Sequence, residues 1–113
     1  MSDPCIFCKI ASGVIPADLI YQDEHFVAFH DITPQAPVHV LVIPRQHIAS
    51  LSEADDASLL AGLLEAVRKI SSQLALVPAG WRTVINTGTD GGQTVMHLHA
   101  HILAGRFMQW PPG

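Results

Sequence analysis

Three histidines alternate with apolar residues near the end of the chain, in the segment His97-Leu98-His99-Ala100-His101. Successive side chains of a β-strand point to opposite faces, so we expect the three imidazoles to share a face, each about 6.5–7 Å from the next. Neutral imidazole is a nucleophile at pH 7, because a pKa of about 6.5 leaves a lone pair on one ring nitrogen. Neighbouring imidazoles could donate hydrogen bonds to phosphate oxygens during phosphoryl transfer. The segment therefore indicates nucleophilic chemistry on phosphorus.

A glycine-rich segment, Gly88-Thr89-Asp90-Gly91-Gly92-Gln93-Thr94, comes directly before the histidines. Glycines let backbone N–H groups approach an anion without obstruction by side chains. Gly-Gly turns between strands are common, so the segment gains weight only from its position three residues before His97. We interpret it as a candidate phosphate cradle.

The only two cysteines, Cys5 and Cys8, are too close in sequence for a disulfide to constrain the fold usefully. Their spacing is compatible with reduced thiols, a metal half-site or a redox pair. The start Met1-Ser2-Asp3-Pro4 lacks the basic and apolar regions of a signal peptide. No apolar segment is long enough to cross a bilayer, so we expect a cytoplasmic protein without a membrane partner.

The elements that must position these residues follow from hydrophobic patterning. We predict a short helical turn at 6–10 and strands at 19–22, 26–30, 38–43, 82–86 and 96–103. A long helix should begin after Ser52 as N-cap, with Asp55 in the capping-box position. Its apolar stripe comprises Leu59, Leu60, Leu63, Leu64, Val67, Ile70 and Leu74.

Short connections favour antiparallel pairing of consecutive strands. We therefore predict a single α+β domain over residues 1–113, with a five-stranded antiparallel meander sheet, one long helix and one short helix. The tail from Phe107 to Gly113 carries large apolar groups that cannot continue a sheet. Such groups usually cover a neighbouring surface, so we expect a homodimer in which two sheets form one larger continuous sheet.

Composition excludes some partners. The chain has 113 residues, and its 10 acidic against 6 basic residues give a formal net charge of −4. A protein that binds polymeric nucleic acid would show a basic patch or stripe, and none is visible. A small phosphate ligand needs only a few local donors. The charge balance is thus compatible with a nucleotide but not with a nucleic acid.

The histidine motif resembles the signature of the histidine triad superfamily, and almost the whole chain resembles its nucleotide-binding protein branch. Further matching motifs are Phe29-His30-Asp31-Ile32-Thr33-Pro34-Gln35-Ala36-Pro37, Leu41-Val42-Ile43-Pro44, Asn86, Gly91-Gly92-Gln93 and Trp110-Pro111-Pro112-Gly113. The resemblance implies a purine nucleoside phosphoramidate hydrolase acting through a covalent nucleotidyl-histidine. It would act on purine nucleoside monophosphate derivatives, release a nucleoside monophosphate and an amine, and need no cofactor for catalysis.

The resemblance also implies a role for each histidine. His99 would be the nucleophile, and His101 would hydrogen-bond the phosphate. His97 would orient His99 through its backbone carbonyl group. His39 matches a fourth histidine that buttresses the other three, although a histidine satisfied inside a strand is an alternative interpretation.

Nucleotide-binding residues follow from the same resemblance. Asp31 would accept hydrogen bonds from the ribose hydroxyls, while Ile32 and Phe29 would flank the purine. The phosphate and leaving group would be held by Asn86, Gly92, Gln93 and Thr94. The branch usually has serine at the position of Thr94, whose extra methyl group restricts the rotamers of the hydroxyl.

Some superfamily members bind zinc through two cysteines and two histidines. The matching positions here are Cys5, Cys8, His47 and His97, which implies a possible structural zinc in tetrahedral Cys2His2 coordination. The alternative is a pair of buried, reduced thiols.

Two other functions remain open from the sequence. His-X-His on a strand can bind a catalytic metal, so His97, His99 and His39 could be ligands in a metal-dependent hydrolase. The chain could also be a nucleotide-binding regulatory protein with little turnover, for which a nucleophile is unnecessary.

Overall fold

The computed structural model describes residues 5–113 and contains two α-helices and five strands in that range. In chain order these are α1 (Ile6–Ala11), β1 (Leu19–Gln22), β2 (Phe26–His30), β3 (Val38–Pro44), α2 (Ala57–Gln73), β4 (Arg82–Val84) and β5 (Ala100–Ala104), with a 3-10 turn at Leu51–Glu53 before α2. Residues 1–4, on which the signal-peptide argument depends, lie outside this description. No helix in the described part is long and apolar enough to cross a bilayer.

All five strands pair antiparallel, in the order β1-β2-β3-β5-β4. The predicted α+β fold, with an antiparallel five-stranded sheet and one long and one short helix, is confirmed. Its last two strands depart from a simple meander, because β5 lies between β3 and β4. The strand carrying His101 is therefore central, and β4 is left at an edge.

Both faces of the sheet are covered, and strand alternation decides which residues meet which helix. Beneath α2 lies one set of buried side chains from β2 and β3: Phe26, Ala28, Val40 and Val42. On the face of α1 lies the other set: Val27, Phe29, Leu41 and Ile43. Because α1 and α2 cover opposite faces, these two strands are apolar almost throughout rather than alternating.

The N-terminus of α2 differs from the prediction. Its N-cap is Asp56, whose Oδ1 accepts hydrogen bonds from the backbone N–H groups of Ser58 at 2.9 Å and Leu59 at 3.3 Å. A carboxylate that satisfies two unpaired N–H groups is a strong cap. Ser52 lies instead in the 3-10 turn. The capping box of Ser52 and Asp55 was therefore a wrong prediction.

The last strand also begins later than predicted, at Ala100 rather than near residue 96. Pro44 has no N–H group for the ladder, and its carbonyl oxygen lies 2.8 Å from His97 Nε2. The Leu98 N–H donates to Ile48 O at 2.7 Å. Pairing between β3 and β5 therefore ends at Val42 and Ala100. Only His101 of the three histidines lies in a paired strand.

Candidate active site

A cavity of about 670 Å³ opens between α1, the turn after it, and the ends of β2, β3 and β5. Most of its lining is apolar, and the polar members are Asp18, His30, Asp31, Thr94, His99 and His101. Its size and its few convergent polar groups are typical of a small-molecule site. The sequence-predicted residues Phe29 and Ile32 also line it, so the structure brings two of the three histidines together with the predicted nucleoside-binding residues.

His99 is oriented by the backbone just before it. Its Nδ1 lies 2.7 Å from the carbonyl oxygen of His97, so Nδ1 carries the proton and donates it. In the neutral ring the lone pair is then on Nε2. His99 is buried but lines the cavity, and its ring centroid is 5.0 Å from that of His101. A main-chain group thus decides which nitrogen of His99 keeps a lone pair.

The tautomers of His39 and His101 follow from a chain of hydrogen bonds that starts at a backbone donor. The Gln35 N–H donates to His39 Nδ1 at 3.0 Å, so the His39 proton is on Nε2. That Nε2 lies 2.9 Å from His101 Nδ1 and 3.5 Å from an oxygen of Asp31. His101 Nδ1 therefore accepts, and the neutral His101 ring carries its proton on Nε2. This N–H is the donor that His101 can offer to a ligand in the cavity.

Burial keeps both rings neutral. It lowers the pKa of His101 from its ordinary 6.5 to about 4, assisted by the neighbouring His99 and His39 and opposed by Asp31. Burial also lowers the pKa of His39, again opposed by Asp31. In a neutral pair one ring can donate while the other accepts, which two protonated rings cannot do. The hydrogen-bond chain is consequently intact at neutral pH.

The residues predicted to hold the nucleoside lie at one side of the cavity. Asp31 Oδ1 accepts the Thr33 N–H at 2.8 Å, which fixes the carboxylate at the end of β2. Phe29 is buried, whereas Ile32 is 98% exposed at the rim. A carboxylate has about four lone-pair positions, so Asp31 keeps acceptor capacity for further donors.

The glycine-rich segment remains a predicted phosphate cradle, and the structure shows how its residues are held. Among its predicted residues only Thr94 lines the cavity. The side-chain amide of Gln93 accepts the Gly88 N–H and donates to the carbonyl oxygens of Ala49 and Val95, and the Gln93 N–H donates to Gly88 O. These hydrogen bonds occupy Gln93 within the loop. The contact of Gln93 with a phosphate stays a prediction.

Asn86 and Gly92 are also outside the cavity lining. The Asn86 amide donates to Gly91 O at 2.7 Å, and the Gly92 N–H donates to Thr89 O at 3.0 Å. Gly92 has a φ of +78°, a conformation that other residues adopt only with strain. These two residues shape the loop that delivers Thr94, and their contact with a phosphate stays a prediction.

The second cluster is a metal tetrad, by which we mean Cys5, Cys8, His47 and His97. Their donor atoms all lie within 4.8 Å of one another. His97 Nδ1 is 3.3 Å from Cys5 Sγ, 3.5 Å from Cys8 Sγ and 3.3 Å from His47 Nδ1. Cys8 Sγ is 3.2 Å from His47 Nδ1. The sequence-predicted ligands are therefore brought together although 92 residues separate the first from the last.

The tetrad fits zinc in both chemistry and spacing. Bonds of about 2.0–2.1 Å to nitrogen and about 2.3 Å to sulfur place tetrahedral ligand atoms roughly 3.3–3.8 Å apart, close to the distances found. His97 Nε2 donates to Pro44 O, so Nδ1 presents its lone pair to the other three ligands. A metal-bound histidine usually donates its second N–H in this way. No disulfide joins the two cysteines, which are half-buried.

A catalytic metal held by His97, His99 and His39 has no support in the geometry. Within residues 5–113, the two groups whose donor atoms converge are the tetrad and the set Asp31, His39 and His101. His99 belongs to neither group. His97 is directed to the cysteines and is fully buried. The three histidines of this alternative are consequently split between different partners.

One wall of the cavity was missed by the sequence analysis. Ile6, Phe7 and Ile10 of α1 line it, and Phe7 is buried against the ring of His99 with centroids 5.2 Å apart. The apolar i and i+4 spacing of Ile6 and Ile10 was the available signal. The backbone carbonyl of Pro44 and the N–H of Gln35 have no sequence signal, because every residue offers a carbonyl group and every residue except proline offers an N–H group.

Comparison with known proteins agrees with this site. A model of the HIT domain matches residues 12–108. An uncharacterized HIT-like protein of Synechococcus elongatus is 55% identical, with 100% of both chains covered. The structure of a HIT family hydrolase from Legionella pneumophila Philadelphia 1 gives a TM-score of 0.93 at 48% identity, covering 96% of this chain and 99% of that one. A histidine triad protein from Clostridium difficile gives 0.91 at 41%, covering 96% and 97%.

The chain therefore belongs to the histidine triad (HIT) family, and its fold is that of HIT family hydrolases. The resemblance drawn from the sequence is confirmed at the level of the superfamily. The family match begins at residue 12 and so does not include the two cysteines or α1.

Proposed function

We propose that the protein hydrolyses purine nucleoside phosphoramidates through a nucleotidyl-His99 intermediate. The observation that carries this proposal is the hydrogen bond of 2.7 Å between His99 Nδ1 and His97 O, since it leaves the Nε2 lone pair of a cavity-lining histidine as the nucleophile. The mostly apolar cavity, with Asp31 at its side, supports a purine nucleoside as the bound group.

The reaction proceeds in two displacements at phosphorus. In the first, His99 Nε2 forms a bond to phosphorus and the bond from phosphorus to the amine breaks. The amine leaves with a proton delivered through the Thr94 hydroxyl. In the second, a water oxygen attacks phosphorus, the bond to Nε2 breaks, and the nucleoside monophosphate departs. Water supplies the oxygen of the product and returns the proton, so His99 and Thr94 are regenerated.

Stabilisation of the transition state is assigned to His101. Its Nε2–H donates to a non-bridging phosphate oxygen as negative charge develops, and this donor is fixed by His39 rather than by solvent. Asp31 accepts from the ribose hydroxyls, and Phe29 with Ile32 encloses the base. The metal tetrad would hold zinc through Cys5, Cys8, His47 and His97. Zinc there supplies structural cross-linking, and no cofactor takes part in catalysis.

We also propose a homodimer formed through β4. This strand is at the edge of the sheet, and its residue Arg82 donates to Gln109 O and stacks over Trp110, with 5.9 Å to the ring centroid. Phe107 and Trp110 are 86% and 81% exposed. Pairing of two edges would join the sheets and cover these rings. Light scattering should give twice the 12.2 kDa chain mass; a monomer at micromolar concentration would contradict the dimer.

The catalytic proposal is tested with an adenosine phosphoramidate carrying an aromatic amine. Intact-protein mass spectrometry after rapid quenching should show a transient adduct of one nucleoside monophosphate, together with amine release. His99→Ala should lose the adduct and at least about 10⁴-fold of the rate, as expected when a nucleophile is removed. His25→Ala, which removes an exposed imidazole remote from the cavity lining, is the matched control.

The remaining outcomes discriminate between functions. Amine release that does not depend on His99 would overturn the mechanism and favour a metal-dependent hydrolase. Nucleotide binding without amine release from either protein would favour a regulatory protein. Both outcomes are read from the same quenched samples.

A further inference from the structure

The short helix α1 contributes residues both to the metal tetrad and to the wall of the cavity. Cys5, its N-cap, and Cys8 in its first turn supply two members of the metal tetrad. Between them, Phe7 points to the other site. Its ring packs edge-on against His99 with centroids 5.2 Å apart, and against Phe29 at 5.5 Å. One helix thus carries metal ligands and a wall of the cavity.

His97 makes a second link between the same two sites. Its Nδ1 is in the tetrad, whereas its carbonyl oxygen holds His99 Nδ1 at 2.7 Å. Its ring also meets Phe7, with centroids 5.9 Å apart. Any movement of His97 relative to the other three tetrad residues therefore also moves the carbonyl group that selects the His99 tautomer.

Isolated helices shorter than about 12–15 residues are marginal in water, so a six-residue helix depends on tertiary contacts. The contacts of α1 are the packing of Phe7 and Ala11 on the sheet, a hydrogen bond from Arg45 to Ala11 O at 3.0 Å, and the tetrad. The Arg45 bond holds the C-terminal end. At the end that carries Phe7, the tetrad adds to the packing of the Phe7 ring itself.

We propose that Phe7 is a positioning residue for His99, and that metal binding by the tetrad sets the position of Phe7. Metal occupancy and nucleotide binding are then coupled, although the metal touches neither the nucleotide nor the reacting atoms. This inference rests on the proposed function for the identity of the ligand. Because coupling between two sites is reciprocal, zinc must tighten AMP binding by the same factor by which AMP tightens zinc binding.

Calorimetric titration of the full chain measures both halves of the coupling. AMP is titrated into zinc-loaded and metal-free protein, and zinc is titrated with and without saturating AMP. We expect a factor of about 10 in each Kd, within the usual range for coupled sites. Phe7→Leu keeps an apolar wall and all four ligands, so it should retain zinc affinity while the factor falls to about 2 or less. His25→Ala should behave as wild type.

A spectroscopic readout separates positioning from general destabilisation. Ring nitrogen NMR signals of His99 should report one tautomer, protonated at Nδ1, in the zinc-loaded wild type. In zinc-loaded Phe7→Leu we expect these signals to shift or broaden while the backbone spectrum of β2 and β3 stays unchanged. This measurement needs no metal-free protein, so it remains decisive if removal of zinc unfolds the chain.

Several results would overturn the inference. Equal AMP affinity with and without zinc would show that the two sites are independent. Unchanged His99 signals in Phe7→Leu would show that Phe7 does not position His99. A tetrad that binds no zinc would remove the premise. Failure of the proposed function is read separately, since zinc-loaded wild type would then form no nucleotidyl adduct whether or not it binds AMP.

Discussion

Two clusters of histidines flank His99, and each brings its donor atoms within 4.8 Å of one another. In the metal tetrad, His47 and His97 meet two thiols. In the other, which we call the acid–histidine cluster, His39 and His101 meet the carboxylate of Asp31. The partners differ in the atoms they offer, because a thiolate is a soft metal ligand whereas a carboxylate accepts hydrogen bonds. The same kind of side chain thus faces two thiols, which could hold a metal, in one cluster and a carboxylate in the other.

Backbone groups decide which nitrogen of each ring is used. In the tetrad a carbonyl oxygen, that of Pro44, takes the Nε2–H of His97 and leaves Nδ1 as a lone pair facing the ligands. In the acid–histidine cluster an N–H group, that of Gln35, takes the lone pair of His39 Nδ1. His39 Nε2–H then donates to His101 Nδ1, so the proton of the neutral His101 ring is on Nε2, where it can serve as a donor. A main-chain acceptor therefore leaves a lone pair on the His97 nitrogen that faces the other tetrad residues. A main-chain donor fixes the tautomer that makes His101 a hydrogen-bond donor.

Removing one imidazole from each cluster should have a large effect that separates the two. His101→Gln should lower kcat by about 10²–10³, the usual cost of deleting one preorganised donor to the developing charge. It should leave the zinc content unchanged. His47→Gln is the matched substitution in the tetrad and should weaken zinc binding severely while kcat falls by no more than about tenfold.

Steady-state kinetics and metal analysis of the two variants check this contrast. Equal losses of kcat in His101→Gln and His47→Gln would mean that the two clusters do not have the separate roles that the geometry indicates. Loss of zinc from His101→Gln would mean that the acid–histidine cluster supports the tetrad. A His101→Gln variant with full kcat would assign charge stabilisation to another donor in the cavity.

The predictability of the two clusters from sequence also differs. His101 and the buried Ile102 follow from strand alternation, which holds along β5. The tetrad could not be derived from spacing, because its ligands come from α1, the segment after β3 and the segment before β5. Only resemblance to a family brought those four positions together, and the structure agrees.

The errors share a physical cause. Sequence patterns report side-chain types. The start of β5, the cap of α2 and the hydrogen bonds of the Gln93 amide are instead set by which backbone groups need partners. In the glycine-rich segment the N–H groups of Gly88, Gly92 and Gln93 have partners within the loop, which composition alone does not reveal. Likewise Leu64 fits the predicted apolar stripe of α2 but is 58% exposed, because the stripe is centred on Leu63, Val67 and Ile70.

A smaller effect sharpens the contrast through pH. Burial lowers the pKa of His101 from 6.5 to about 4. Between these values the unfolded chain binds more protons at this position than the folded chain, so stability rises with pH through the window. The contribution is fully present above pH 6.5 and is lost as the pH falls towards 4. Because the ring is only partly buried, we expect about 1–2 kcal/mol rather than the full value of the shift.

Urea unfolding of wild type and His101→Gln at pH 7, 6, 5 and 4.5 measures this term. The variant cannot titrate at residue 101, so the wild type should lose more stability than the variant as the pH falls. His39, whose pKa burial also lowers, is present in both proteins and contributes to each curve. Parallel curves from pH 7 to 4.5 would show that His101 titrates alike in the folded and unfolded chains. The neutral His101 donor would then need a source other than burial, and the hydrogen bond from His39 would be the group to vary next.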